Sequence, residues 1–331
     1  MLPSLPILCL FAVIPGFQDG SSAPSPPPSA VQAGQQAPIG LVAPTYGQVA
    51  SPVPLPAGPV SVQTAQPPVL EDAIKVMESH LSITATFRQQ VDMFDRHLVG
   101  SGKYWELRQP GAPLTRLELS LQIGNYDSSL VEVCDGRYLW SHRTLLEKET
   151  LSRIDAVRAT RALERATAMP DRNTMMLPAL GGFSKLLRSL NVYFQFAPAV
   201  RGHIGQSSVD VWRLEGSWRP DQLVRMLPAQ SNAIARGKPV DLGQLPRHVP
   251  DHVVVYLRHD CLFPYLIDYQ RAVPKKEQTD DGPKNRALMT LELSDVNFDV
   301  AIEPTRFFYN PGKVETIDYT DSFILSLGIK E

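Results

Sequence analysis

The chain has 331 residues, 43% of them hydrophobic and 20% charged, with a formal net charge of -2. That near balance excludes the basic footprint of a nucleic-acid binder. The length admits one large domain or two ordinary ones, and many of the 30 prolines crowd toward the front.

Residues 2–17 form an apolar block broken by Pro3, Pro6 and Pro15. It is too short and interrupted to cross a bilayer. With Ser21-Ser-Ala23 behind it as a small-residue cleavage site, it reads as a secretory signal over residues 1–23. The protein is therefore expected to be exported, periplasmic or associated with the cell envelope. Ile7-Leu8-Cys9 lacks the small residue that precedes a lipidated cysteine. Cys134 and Cys261 remain, on separate strand-like segments. They can pair in an oxidising compartment if those strands are neighbours; otherwise they are buried free thiols. Residues 24–68 are rich in Pro, Ala, Gln, Val and Ser and carry no charge. Such a segment cannot bury enough surface to offset chain entropy and reads as an extended linker.

The folded part is expected over 69–331. Leu70, Ile74, Met77 and Leu81 make one helical stripe, with Glu71 and Asp72 suiting the first turn. From Ile83 the chain turns to β-formers. Leu117, Leu119 and Leu121 alternate with Arg116, Glu118 and Ser120; Val131 and Val133 flank Glu132; Tyr138 and Trp140 follow; 147–153 is a polar strand expected at an edge. Clean alternation means one buried and one wet face, which favours an antiparallel sheet. Helical patterns fill Ile154–Ala168 and Met175–Leu190, the second carrying a bend or hinge at Gly181-Gly182. It reads as core packing or as a lid over a cavity. Strands resume at 192–196, 209–215, 253–260, 262–271, 287–296 and 305–309, around an irregular stretch at 226–251 and a charged hairpin loop at 275–286. Strand–helix–strand alternation is absent, which argues against a Rossmann or α/β barrel fold.

Three motifs then fall in order: Phe87-Arg-Gln89 after the first helix, Gly102 through Arg108-Gln-Pro110, and Asp135-Gly-Arg-Tyr-Leu-Trp140. In that order, densest over 70–150, they resemble the LolA/LolB family of periplasmic carriers and receptors of outer-membrane lipoproteins. The resemblance implies an α+β fold: a curved antiparallel sheet forming an incomplete, half-open β-barrel, covered by about three helices. It implies an apolar concave surface for acyl chains of lipid or lipoprotein, contact with other envelope proteins or the membrane periphery, and no cofactor. The family's cavity arginine helps govern release, and Arg116 is the candidate for it. Its alternation with the leucines turns it outward if the leucines line the cavity.

Chemistry is sparse. His248, His252 and His259 invite a zinc reading, but Pro250 interrupts the pair that a helix would have to aim. Asp92, Asp95 and His97 read as a solvated hairpin before a Gly100-Ser-Gly102 turn rather than an acid–base site. Asp135-Gly136 is a turn pair. No nucleophile-elbow, P-loop or zincin motif occurs. The sequence reading is thus a non-catalytic binder of lipid or a lipoprotein acyl group. Its cavity is lined by Phe87, Leu117, Leu119, Val131, Val133, Trp140, Phe183, Leu187, Trp212 and Leu214, with no metal. The alternatives are an envelope interaction or stress-sensing domain on the same fold, and a hydrolase with an unrecognised site.

Overall fold

The computed structural model describes residues 68–93, 96–109, 113–123, 126–145, 147–167, 181–205, 208–273 and 285–326. The segment expected to be an export signal (1–23) and nearly all of the expected linker lie outside the described residues, as does most of the 275–286 loop.

One sheet of thirteen strands organises the described residues. A meander comes first: β1 (Ser82–Met93), β2 (Arg96–Leu107), β3 (Leu114–Ile123), β4 (Tyr126–Cys134), β5 (Tyr138–Leu145) and β6 (Lys148–Asp155). A second group follows: β7 (Phe194–Phe196), β8 (Val200–Ile204), β9 (Val209–Trp218), β10 (His252–Arg258), β11 (Pro264–Ala272) and β12 (Asn285–Phe298). The order is β13-β6-β5-β4-β3-β2-β1-β12-β11-β10-β9-β7, with β8 also on β9 and β13 spanning Thr316–Asp318. Every pairing is antiparallel except β13 with β6. The two groups join where β1 pairs with β12, Phe87 opposite Leu293. Among the described residues no pairing joins the two ends, so the sheet does not close.

The helices are α1 (Leu70–Ser79), α2 (Ala156–Thr167), α3 (Gly182–Tyr193), α4 (Pro220–Met226), α5 (Ser231–Ala235) and α6 (Thr320–Ser326). Six stand among the described residues where about three were expected: α5 lies inside the 226–251 stretch expected to be irregular, and the short α4 and α6 fall between and beyond the expected strands. The first helix ends at Ser79, and Leu81 is exposed rather than part of its stripe. The 226–251 stretch is held by one arginine. Buried Arg271 on β11 donates to the carbonyls of Gly243, Leu245, Pro246 and Val249.

Two turns move. Gly100 and Gly102 lie inside β2, not at a hairpin tip. A Cβ on Gly102 would sit 1.8 Å from the Glu118 carbonyl oxygen, so the glycine serves close strand approach. Residues 305–309 are not a strand. Pro304–Phe307 is a 3-10 turn on a strap that runs on to β13 and α6. Cys134 and Cys261 are both free; Cys134 is buried beside α2, and burial pushes its thiol up to about 11.

The core lies on one face of the sheet. Ile83, Ala85, Phe87, Tyr104, Leu117, Leu119, Leu130, Leu214, Val253, Val255, Ile267, Leu291 and Leu293 form a continuous buried cluster with α1, α3 and the 226–251 segment. Beside it α2 and α6 cover Cys134 and Leu139 in a smaller cluster.

Candidate functional site

Cross-strand register decides which side chains share a face. Leu117 stands opposite Tyr104 on β2 and Glu132 on β4. Leu119 stands opposite Gly102 and Leu130. Phe87, Leu117, Leu119 and Leu214 therefore belong to the helix-covered face, where they meet Phe183 and Leu187 of α3. Trp212 packs half-buried at its margin and stacks on His259, with ring centroids 5.3 Å apart.

The remaining candidates lie on the opposite face. Arg116 pairs with Val133, Glu118 with Val131, and Val133 with Trp140. Val131, Val133 and Trp140 thus cannot line one surface with the leucines. They lie where the strap crosses: Trp140 stacks on Tyr309 at 5.6 Å, and the Arg306 guanidinium sits 4.7 Å from the Trp105 ring centroid. Arg116 is there too. Its Nε donates to Glu118 at 2.6 Å and its Nη1 to the Arg306 carbonyl at 3.2 Å. It holds the strap and does not reach the helices.

Polar side chains that reach the helices come from β2 and the residue just after it. Tyr104, Glu106 and Arg108 follow Gly102 at alternate positions. The Tyr104 hydroxyl donates to Glu106 Oε2 at 2.8 Å. Glu106 also accepts the Phe183 backbone N–H at the start of α3, where a carboxylate suits the helix dipole. Gly182 there has φ +76°, and a Cβ on it would fall 2.4 Å from Glu106 Oε2, so only glycine fits. Arg108 donates to the Met77 and His80 carbonyls at the end of α1, both at 3.2 Å, and its Nη2 lies 3.5 Å from Glu106. One strand thus grips the end of one helix and the start of another. Glu106 is 2% exposed, and burial raises its carboxyl above the usual carboxylate range, opposed by the Tyr104 hydrogen bond and the Arg108 charge. Arg188 of α3 adds a forked pair to Glu78 of α1, both contacts to Nη2 at 2.7 Å.

Beneath the helices the face is filled. The rings of Tyr104 and Phe183 lie 4.4 Å apart, Phe183 and Phe263 6.1 Å, Phe263 and Phe298 5.6 Å. Phe87, Leu117, Phe183, Leu187 and Leu214 are each at most 1% exposed. The expected standing hollow is occupied by α1, α3 and their side chains. Two grooves lie on the other face: a polar one of about 220 Å³ around Arg116, Glu118 and Arg306, and one of about 660 Å³ with a mixed lining around Ser101, Ser120, Ser129 and Val99.

The histidines go separate ways. His252 sits between Asp251 and Gln270, His259 stacks on Trp212, and His248 Nε2 is buried without a partner. Among the described residues no three metal-ligating side chains converge. His97 and Asp92 bond at 2.5 Å across the β1–β2 hairpin; Asp95 lies outside the described residues. Asp135 accepts from the backbone N–H groups of Arg137 and Tyr138 and from the Trp140 indole, a turn role.

No family model and no curated protein matches the chain. Solved structures similar to it include a DUF1329 family protein from Desulfovibrio piger, at 10% identity and TM-score 0.31, covering 72% of this chain and 95% of that one. Another is a putative outer membrane lipoprotein-sorting protein domain from Vibrio parahaemolyticus, at 11% identity and TM-score 0.28, covering 72% of this chain and 97% of that one. Both scores are low, so the reading of function rests on this chain's own geometry.

Proposed function

We propose that this is a non-catalytic binding protein of the cell envelope that takes an acyl chain of lipid or lipoprotein against the helix-covered face, with α1 and α3 as displaceable covers. The observation that carries the reading is the Tyr104–Glu106–Arg108 grip. A cover meant only as core needs no buried carboxylate and guanidinium at its seam. A cover that lifts and returns needs directional contacts to guide it back.

The magnitudes allow the exchange. Lifting α3 exposes Phe183, Leu186, Leu187 and Leu190, at about 1.5–3 kcal/mol each, on the order of 6–12 kcal/mol together. One sixteen-carbon chain at about 0.8 kcal/mol per methylene returns about 12 kcal/mol. Arg108 and Glu106 are positioning residues in this scheme, and no bond is made or broken. Organic extraction of the purified protein should yield lipid, and delipidated protein should take up a fluorescent fatty acid, faster in Arg108→Ala. No extracted lipid together with no uptake by either form would end the proposal.

A second reading, an interaction or sensing domain, is favoured by the filled interior. On that reading the protein is empty of lipid, and loosening α3 leaves fatty-acid uptake at zero.

A further inference from the structure

Glu106 and Glu132 are both buried carboxylates on the helix-covered face, and they are used differently. Glu106 accepts from the Tyr104 hydroxyl and the Phe183 N–H and lies beside Arg108. Glu132 is 0% exposed and accepts at Oε1 from the Ser141 hydroxyl at 3.2 Å, while its Oε2 is buried without a partner. Native folds keep few such atoms, because each destabilises them. The groups behind it are ordered. Arg143 Nε donates to the Ser141 hydroxyl oxygen at 3.3 Å, and that hydroxyl donates to Oε1. The acid form of Glu132 therefore carries its proton on Oε2. Burial raises the carboxyl above the usual glutamate range, opposed by the Arg143 charge and the Ser141 hydrogen bond. Register sets Glu132 in a row that changes character. Ser152 on β6 stands opposite Ser141, Ser141 opposite Glu132, Glu132 opposite Leu117, Leu117 opposite Tyr104, and Tyr104 opposite Ala85. The row enters half-buried at Ser152, stays polar through Glu132, and from Leu117 on belongs to the core cluster under α3. Tyr104, two strands or roughly 10 Å from Glu132, packs on Phe183 of α3. The same helix passes the Glu132 end, where the Lys185 charge acts on Cys134, two residues along the same face of β4.

We propose that, when α3 lifts, Glu132 donates from Oε2 to the ester carbonyl of the bound acyl chain, whose tail runs over Leu117 and Tyr104. The inference rests on the lipid-binding reading and narrows its ligand to a neutral, ester-linked chain. The row is polar at one end and apolar at the other, as that ligand is. The carbonyl oxygen supplies the acceptor that Oε2 lacks. A free carboxylate would bring a charge into the same dry site, at a desolvation cost that the ester avoids. The ester can belong to a free glycerolipid or to the lipid anchor of a lipoprotein, since both offer the same carbonyl.

The test uses the delipidated full chain and three sixteen-carbon probes with a fluorophore at the tail: the methyl ester, the free acid, and the matching methyl ether, which has no carbonyl. The native chain should bind the ester about tenfold tighter than the ether, the worth of one hydrogen bond, and tighter than the free acid. The infrared band of an isotope-labelled ester carbonyl should move to lower wavenumber on binding. Glu132→Leu should bind ester and ether alike, at the ether's native affinity. Glu132→Gln, whose amide N–H stands in for the O–H, should keep the preference, which a merely structural role would not give. Dipalmitoylglycerol or a diacylglyceryl-cysteine peptide should displace the ester, and the stronger competitor names the source. Equal binding of ester and ether by the native chain, a preference that survives in Glu132→Leu, or displacement by neither competitor overturns this inference and leaves the lipid reading standing. Binding of none of the three probes overturns it too, and with no extracted lipid the reading beneath it falls as well.

Discussion

Glu132 is a carboxylate at a position where the fold gives it little help. It lies on the helix-covered face of β4, is 0% exposed, accepts from the Ser141 hydroxyl at 3.2 Å, and leaves Oε2 without a partner. Burial raises its carboxyl above the ordinary glutamate range, partly opposed by the Arg143 charge. The sign follows from proton counting. Between the ordinary and the raised value the folded protein holds a proton that the unfolded chain has released, so stability falls as pH rises through that window. Glu106 contributes with the same sign. Glu132→Gln keeps the shape and removes the titration. It should match the native chain in acid and exceed it by about 1–3 kcal/mol in the alkaline range. Urea unfolding at both ends of the range checks this, and a difference that does not change with pH would refute it. Gly102 poses the opposite case, a position with no room. With the Glu118 carbonyl 1.8 Å from any Cβ, Gly102→Ala must push β2 from β3 and should cost on the order of 3–5 kcal/mol. A urea midpoint within error of the native chain would show that the pairing is looser than the register implies.

Elements divide by how much of their setting is local. The strands of the meander were readable because each has one apolar and one polar face. Leu117, Leu119 and Leu121 announce β3 without help from any neighbour. What alternation leaves open is which face of β4 continues that of β3. In β4 Leu130 and Glu132 are buried on one side and Val133 on the other, because helices cover one face and the strap the other. A slip of one residue exchanges the faces. That is why Val131, Val133 and Trp140 were grouped with Leu117 and Leu119, although register sends them under the strap. The signal for the helix grip was present: Tyr104, Glu106 and Arg108 continue an apolar face with ionisable groups, and such groups on a buried face need partners. The strap was misread as a strand because Phe307-Phe-Tyr309 is rich in β-formers, and β8, Val-Arg-Gly-His-Ile, has no period to detect. The strap's anchor is Phe307, 2% exposed between the exposed Arg306 and Phe308. Phe307→Ala should cost about 3–5 kcal/mol and free Tyr309 from Trp140, shifting tryptophan emission to longer wavelength. An unshifted spectrum would mean that the strap is held by Arg116 and β13 without Phe307. In α1 and α3, hydrogen exchange should quicken first at the Met77–His80 and Phe183 ends in Arg108→Ala, while α2 stays unchanged.

At the scale of the whole molecule the joint between β1 and β12 carries the design. Among the described residues the β1–β6 meander and the β9–β12 group share no other strand pairing. The joint is long in sequence: Ile83 meets Phe298, and Asp299 accepts from the His80 ring and from the Leu81 N–H at 2.8 and 2.7 Å. Such a closure forms late and exposes two edges until it does. Two truncations separate its role from that of the strap. A chain ending after Ala272 keeps β1 and β11 but loses the strand between them, leaving two bare apolar-faced edges; it should be insoluble. A chain ending after Asp299 keeps both groups and the Asp299 clasp, losing only the strap, β13 and α6. It should remain soluble with native-like near-ultraviolet dichroism and melt at lower temperature, because Ile324 no longer covers Cys134 and Leu139. Soluble fraction and dichroism of the two products decide the matter. A folded, soluble product from the shorter chain would mean that each strand group stands alone and that the sheet is two sheets in contact rather than one.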